Sequence, residues 1–246
     1  MPKLGSENIQ TNSGFSFSGE SIQNLDGNDR YTLACVTIDC SSSTFNFTDS
    51  MKQCIEYVIE ACKDNKIKNN VLLRIAKFNS YGIEELIGYT QPEKIVVSDI
   101  LSHIYSGGST PLFDATVESV ESASAYAKKL ANSYYTSNSV VFIITDGEEN
   151  TSQIVKTGDG VHNKLDKVKK EESLESIKMI LIGLCDGSDI NNYLQSYKDQ
   201  VGIDDYVNAN VADAKTFKKL GNFISQSISS TNQALGSGAP SQSLTF

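Results

Sequence analysis

The chain has 246 residues, of which 39% are hydrophobic and 21% charged, and it carries a formal net charge of -9 with a pI near 4.8. This length and composition predict one sizeable globular core and exclude a fibrous or wholly disordered chain. The acidic balance argues against nucleic acid or an anionic membrane as the partner, because the field of the protein repels both.

The two ends of the chain differ in composition from its middle. Residues 1–29 are rich in Ser, Asn, Gly and Gln, and we predict that they form an arm lying on the domain. Residues 30–232 are predicted to form that domain. Residues 233–246 include the linker-like sequence GSGAPSQSLTF and are predicted to form a flexible tail.

Between the ends, short apolar runs alternate with amphipathic stretches. This alternation predicts an α/β fold with a Rossmann-like, doubly wound, mainly parallel sheet that is flanked by helices on both faces. The runs VVFIIT and MILIGL are almost unbroken, as strands buried on both faces require. We predict strands at residues 31–39, 71–78, 140–145 and 179–184, and a short strand around Tyr206.

The helices are predicted from their apolar period and their start signals. Apolar residues recur at helical spacing from Met51 to Cys62, with Thr48 or Asp49 available as the N-cap. A second helix is predicted to open at Thr110, a capping residue that is followed by proline. Further helices are predicted at residues 165–174, 190–197 and 212–228.

Three predicted loops carry oxygen ligands to one edge of the sheet. Open parallel sheets bind ligands where their strands end, and two of the predicted strands end in aspartate. The third loop, GGSTP, places a threonine at a helix start. Two carboxylates and three hydroxyls form an all-oxygen set that suits Mg²⁺ or Mn²⁺ and offers zinc neither imidazole nor thiolate. The candidate metal ligands are Asp39, Ser41, Ser43, Thr110 and Asp146.

Each loop also has an ordinary interpretation when it is taken alone. The first is typical of a polar loop that caps a helix, the second of a good helix start, and the third of a turn after a strand. These interpretations do not predict that all three loops follow the right elements in order. Their combination therefore favours a metal site.

At these loops the chain resembles the von Willebrand factor A domain family. DCSSS resembles the DxSxS motif of that family, GGSTPLFDA its threonine loop and ITDGEEN its second aspartate loop, in family order over roughly residues 30–230. The resemblance implies a metal-ion-dependent adhesion site with three hydroxyl ligands, two aspartates that bind directly or through water, and one position left for a partner's carboxylate. The chain looks most like stand-alone intracellular members from bacteria and phages.

From the residues and the resemblance we expect a protein-binding module and not an enzyme. It would engage an Asp or Glu of a partner through bound Mg²⁺, Mn²⁺ or Ca²⁺. The resemblance suggests an AAA+ ATPase or another component of a multiprotein complex as that partner. One alternative is an Mg²⁺-dependent phosphoryl-transfer hydrolase that is similar to haloacid dehalogenases, although Ser41 stands where those enzymes have a second acid. The other is a scaffold whose metal only ties loops together.

The remaining features concern the compartment and the residues beside the site. The five cysteines show no CxxC pattern, and no signal peptide or apolar run of about eighteen residues is present, which predicts a cytoplasmic protein without a membrane span. His103 is predicted to be structural, and Cys40 has no histidine to activate it. Glu148 and Glu149 are predicted either to tune the ion or to be solvated.

Overall fold

The apolar runs form the middle of one eight-stranded sheet in this computed structural model, which describes residues 6–25, 29–63, 70–184, 188–209 and 214–234. Its order is β1-β2-β5-β4-β3-β6-β7-β8. The strands are β1 (Ser6–Gln10), β2 (Ser16–Glu20), β3 (Arg30–Asp39), β4 (Val71–Asn79), β5 (Gly82–Thr90), β6 (Thr136–Thr145), β7 (Ile177–Gly183) and β8 (Asp205–Asn208).

The sheet is mixed and mainly parallel. Strands β4, β3, β6, β7 and β8 run parallel to one another. Strand β5 is antiparallel to β4, and the β1–β2 hairpin joins the sheet through β5. The predicted α/β class with a mainly parallel sheet is therefore confirmed. The carboxyl edge of the sheet is defined here as the edge at which the five parallel strands end.

Helices cover both faces of the sheet, because the side chains of β3 alternate between two cores. Val36 and Ile38 pack with α1 and α6, whereas Leu33 and Cys35 pack with α3 on the other face. The described helices are α1 (Thr48–Cys62), α2 (Val97–Leu101), α3 (Leu112–Ala131), α4 (Gly158–Lys169), α5 (Ser188–Val201) and α6 (Ala214–Ala234). Within the described ranges, no helix has the length and apolar character needed to cross a bilayer.

Several elements differ from the sequence prediction for identifiable reasons. Strand β5 was not predicted, because GIEELIGYT combines two glycines with two exposed or half-buried acids. The helix predicted at 165–174 spans Gly158–Lys169 instead, since Thr157 caps it by accepting a hydrogen bond from the Gly160 amide. The predicted arm contains the β1–β2 hairpin, and residues 235–246 of the predicted tail lie outside the described part of the chain.

A buried ionic group fixes α3 against the sheet. Arg74 of β4 is fully buried, and its guanidinium lies 2.6 Å from the Glu118 carboxylate of α3 and 2.9 Å from Glu85 of β5. A buried charge is tolerated only where partners and hydrogen bonds surround it. This pairing sets the position of α3 relative to two strands, and the loop just before α3 contributes to the carboxyl edge.

Candidate metal centre

The predicted first aspartate lies at the end of the central strand and is fully buried. Asp39 ends β3 next to the end of β6, because Ile38 and Ile144 are partners in the parallel register. One carboxylate oxygen of Asp39 accepts a hydrogen bond from the Ser41 amide at 2.8 Å. The other accepts one from the Thr145 hydroxyl at 2.6 Å. These two bonds hold the carboxylate in one orientation.

A chain of hydrogen bonds joins the loops that follow β3 and β6. The hydroxyls of Ser41 and Ser43 lie 3.0 Å apart, and the Ser43 hydroxyl donates to the Asp146 carboxylate at 2.7 Å. Ser41 is buried, Ser43 is exposed and Asp146 is half-buried. Four of the five predicted ligands therefore lie together at the carboxyl edge, and the outer members of the group face solvent.

The fifth predicted ligand, Thr110, lies against the same group. A β-carbon placed on Gly147 would lie 3.3 Å from the Thr110 hydroxyl and 3.9 Å from the Ser43 hydroxyl, so both side chains border one point next to Asp146. The Thr110 amide donates to the Asn150 side chain at 2.8 Å, and the Asn150 amide donates to the Thr110 carbonyl at 3.1 Å. The five residues are thus brought together by three loops.

Direct backbone contacts also connect the first two loops. The Gly107 amide donates to the Cys40 carbonyl at 2.8 Å, and the Ser42 amide donates to the Gly108 carbonyl at 2.9 Å. Gly108 has a φ of 80°, and a β-carbon there would lie 2.3 Å from the Ser80 hydroxyl. The positive φ favours glycine here, and a β-carbon would also displace the Ser80 hydroxyl from its hydrogen bond with the Ser109 amide.

The electrostatics of the group favour a cation. Burial raises the pKa of the Asp39 carboxyl to about 6, although hydrogen bonds from Thr145 and Ser41 partly oppose the rise. Burial also raises the pKa of Asp146 above its ordinary value. Within the described ranges, no lysine, arginine or histidine forms an ion pair with either carboxylate. Two carboxylates and three hydroxyls without a cationic side chain fit a hard divalent ion.

The residues that hold the third loop were not identified from sequence. Glu149 accepts hydrogen bonds from the amides of Phe113, Thr151 and Ser152. Asp114, in the first turn of α3, accepts from three consecutive amides, those of residues 153–155. An acid in the first turn of a helix is a signal that could have revealed Asp114. Glu149, which was predicted to tune an ion or be solvated, instead fastens its loop to α3.

The other residues considered near the site have structural surroundings. His103 is exposed, and its ring nitrogen lies 2.8 Å from the Asp99 carbonyl, within its own turn. The Cys40 side chain is buried, and burial raises the pKa of its thiol to about 12. A thiol with that pKa is almost entirely protonated at neutral pH, which disfavours Cys40 as a nucleophile. Glu148 is exposed.

Comparison with known proteins shows likeness of fold without likeness of sequence. No protein-family profile matches the sequence, and no curated protein matches it either. A mutant of the PilB minor pilin from Streptococcus sanguinis has a TM-score of 0.60 at 11% identity, over 90% of this chain and 66% of that one. The pilus adhesin SpaC from Lactobacillus rhamnosus GG, in its open conformation, has a TM-score of 0.57 at 12% identity, over 91% of this chain and 33% of that one. The N-terminal domain of TFIIH p34 has a TM-score of 0.55 at 15% identity, over 80% of this chain and 99% of that one.

These findings correct the family assignment made from the three loop motifs. Assignment to stand-alone intracellular von Willebrand factor A proteins with a metal-ion-dependent adhesion site is wrong. No family profile matches, and the similar structures include pilus proteins of which this chain spans about two thirds or one third. Among the described residues, moreover, no three His, Cys, Asp or Glu side chains group together as metal ligands. The set of two carboxylates and three hydroxyls itself stays a prediction.

Replacing Glu149 tests how the third loop is held. We expect Glu149→Ala to lower the free energy of unfolding by about 2–4 kcal/mol, because three amides and the Ser152 hydroxyl lose a charged acceptor. Glu148→Ala is the matched control and should change it by less than about 0.5 kcal/mol, since that side chain is exposed. Urea denaturation measures both. Equal effects of the two substitutions would contradict the assigned role.

Replacing Gly108 tests the loop that carries Thr110. Gly108→Ala should lower the free energy of unfolding by about 1–3 kcal/mol, because alanine disfavours positive φ and its β-carbon would meet Ser80. Gly107→Ala is the control, as nothing lies within 4 Å of its added carbon. Thermal unfolding compares the two variants, and a control that is as unstable as Gly108→Ala would refute this description of the loop.

Proposed function

We propose that this protein is a metal-dependent protein-binding module. In this proposal Asp39, Ser41, Ser43, Thr110 and Asp146 hold a divalent cation, with Mg²⁺ first and Mn²⁺ or Ca²⁺ as alternatives. The cation would supply an electrophilic point for an Asp or Glu side chain of the partner. The Rossmann-like, doubly wound classification belongs to the same proposal, because such sheets bind ligands at the carboxyl edge.

One observation carries the proposal: the hydrogen-bonded series Ser41, Ser43 and Asp146 stands directly in front of a buried carboxylate. The three hydroxyls are neutral, so where Asp39 and Asp146 bind through water, only neutral oxygens contact the cation directly and its charge is not neutralised by a direct anionic ligand. A cation with few anionic ligands attracts a further carboxylate more strongly than one already neutralised. A partner's acid is the group that such a site would take.

The surroundings of Asp39 argue against the hydrolase alternative. A nucleophilic aspartate must be reachable by the substrate, whereas an aspartate that helps to hold an ion needs only one lone pair directed at it or at its water, and each carboxylate oxygen has two. Both oxygens of Asp39 already accept hydrogen bonds, from the Ser41 amide and the Thr145 hydroxyl, and the side chain is fully buried. We therefore propose that the protein is not an enzyme.

The direct contacts between the loops argue against the scaffold alternative. The first loop is bonded to the second through Gly107 and Gly108, and the second to the third through Thr110 and Asn150. These bonds are formed between protein groups alone. An ion is therefore not needed to connect the loops, so in our proposal its role lies in binding the partner.

The exposed apolar side chains of this edge favour a protein as the partner. Large apolar side chains are exposed on four described segments at this edge, and apolar exposure of this kind is typical of protein interaction surfaces. They are Phe45 (74% exposed), Tyr81 (85%), Tyr105 (55%) and Ile154 (52%). The net charge of -9 disfavours nucleic acid.

The compartment and the identity of the partner belong to the proposal as well. The four described cysteines are unpaired and buried, which is compatible with the reducing cytoplasm predicted from the sequence. The pilus proteins of similar fold make the cell surface the alternative. An AAA+ ATPase or another member of a multiprotein complex remains the candidate cytoplasmic partner.

Affinity capture from native cells, repeated with purified components, tests the function. We expect the captured complex to form in Mg²⁺ and to be lost in EDTA, and Ser43→Ala to weaken it because a hydroxyl ligand is removed. Ser42→Ala is the matched control, as its exposed side chain lies outside the hydrogen-bonded series. Complexes that survive both EDTA and Ser43→Ala would refute the proposed function.

A further inference from the structure

An open apolar groove of about 270 Å³ lies immediately beside the candidate metal site. It runs between the turn that follows β4 and the loop that follows β6. Its apolar lining consists of Phe15, Ile83, Pro111 and Ile154. Phe15 and Ile83 are half-buried against the core, whereas Ile154 is 52% exposed.

The groove is continuous with the loops that carry the ligands. Pro111 directly follows Thr110 in the chain, so one wall of the groove begins where the ligand set ends. The Ser109 amide donates to the hydroxyl of Ser80, another lining residue, at 3.1 Å. The groove therefore lies next to the ligand set, where a residue close to the partner's bound carboxylate can enter it.

Three polar side chains of the groove wall, those of Asp114, Asn79 and Ser80, already form hydrogen bonds within the protein. Both carboxylate oxygens of Asp114 accept hydrogen bonds from amides of residues 153–155. The Asn79 side chain accepts from the Tyr81 amide, and the Ser80 hydroxyl accepts from Ser109. A polar occupant would give up hydrogen bonds to water and find few partners here, whereas an apolar one would gain from burial.

The charges at the same edge limit which acidic segments of a partner can bind. Asp39, Asp146 and the exposed Glu148 are all acidic, and they outnumber the one described lysine beside the groove, Lys156, which contacts Gln153; the whole protein is acidic as well. A run of acidic residues would be repelled except at the single carboxylate that meets the cation. The recognised segment is thus one acid in apolar surroundings, not an acidic tract.

We propose that the partner presents a single Asp or Glu with a large aliphatic or aromatic side chain at a neighbouring position, and that this side chain enters the groove lined by Phe15, Ile83, Pro111 and Ile154. This inference rests on the proposed function, since the acid would bind at the metal site. The groove would distinguish among acidic segments by accepting only those with a suitable apolar neighbour. The cation supplies the common anchor.

Selection of a random displayed peptide library on the protein, in Mg²⁺ and in EDTA, tests the inference. We expect Mg²⁺-dependent peptides that share one acid and a large apolar residue at a fixed offset from it. On Ile154→Ser the acid should persist while the apolar preference disappears, and Ile154→Leu should restore that preference. Tyr134→Ser is the control, because Tyr134 is 95% exposed and lies just before β6, at the opposite edge.

The binding constants of a selected peptide make the outcome quantitative. Ile154→Ser should weaken binding about tenfold, through the loss of buried apolar contact, but should leave unchanged the binding of the same peptide with alanine at the apolar position. If the selected peptides need Mg²⁺ and an acid but show no preference for an apolar residue, the proposed role of the groove is wrong and the metal-dependent function is supported. Peptides that bind equally well in EDTA would overturn both.

Discussion

The carboxyl edge of this sheet is organised around one buried charge, the carboxylate of Asp39. It ends the central strand, is fully buried, and has no ion-pair partner within the described ranges. Burial raises its pKa from 3.8 to about 6, which corresponds to a cost of about 3 kcal/mol for keeping it ionised at neutral pH. Because the folded state binds this proton more tightly than the unfolded state, the cost appears as pH rises above about 4 and is complete above about 6.

The structure around Asp39 holds the carboxylate in one orientation but supplies no cationic side chain, among the described residues, to stabilise its charge. Two hydrogen bonds orient the carboxylate, and the three loops are joined by protein contacts of their own. Glu149 and Asp114 then fasten the outer loop to the start of α3. Keeping a buried, oriented carboxylate ionised without a cationic partner destabilises the fold, and proteins tolerate such groups mainly at functional sites. In our account, a bound cation offsets the cost, and the partner's acid completes the coordination of that cation.

The sequence predicted the parts of the fold and site that depend on local pattern. The buried strands were found as apolar runs, and the five candidate ligands follow strand ends or precede α3, where the structure brings them together; their binding of a metal stays a prediction. Strand β5 and the roles of Glu149 and Asp114 depend on partners distant in the chain, which periodicity does not encode. The family assignment failed because three short loop motifs describe a geometry that similar folds share, and not a line of descent.

Thermal unfolding of the wild type and of Asp39→Asn, each with and without Mg²⁺, tests the central claim most directly. Without Mg²⁺ we expect Asp39→Asn to be the more stable protein, because asparagine removes the buried charge and can still accept from Ser41. With Mg²⁺ the wild type should gain stability and the variant should not, so that the difference between them shrinks or reverses. A wild type that does not respond to Mg²⁺, or a variant that responds equally, would contradict the account.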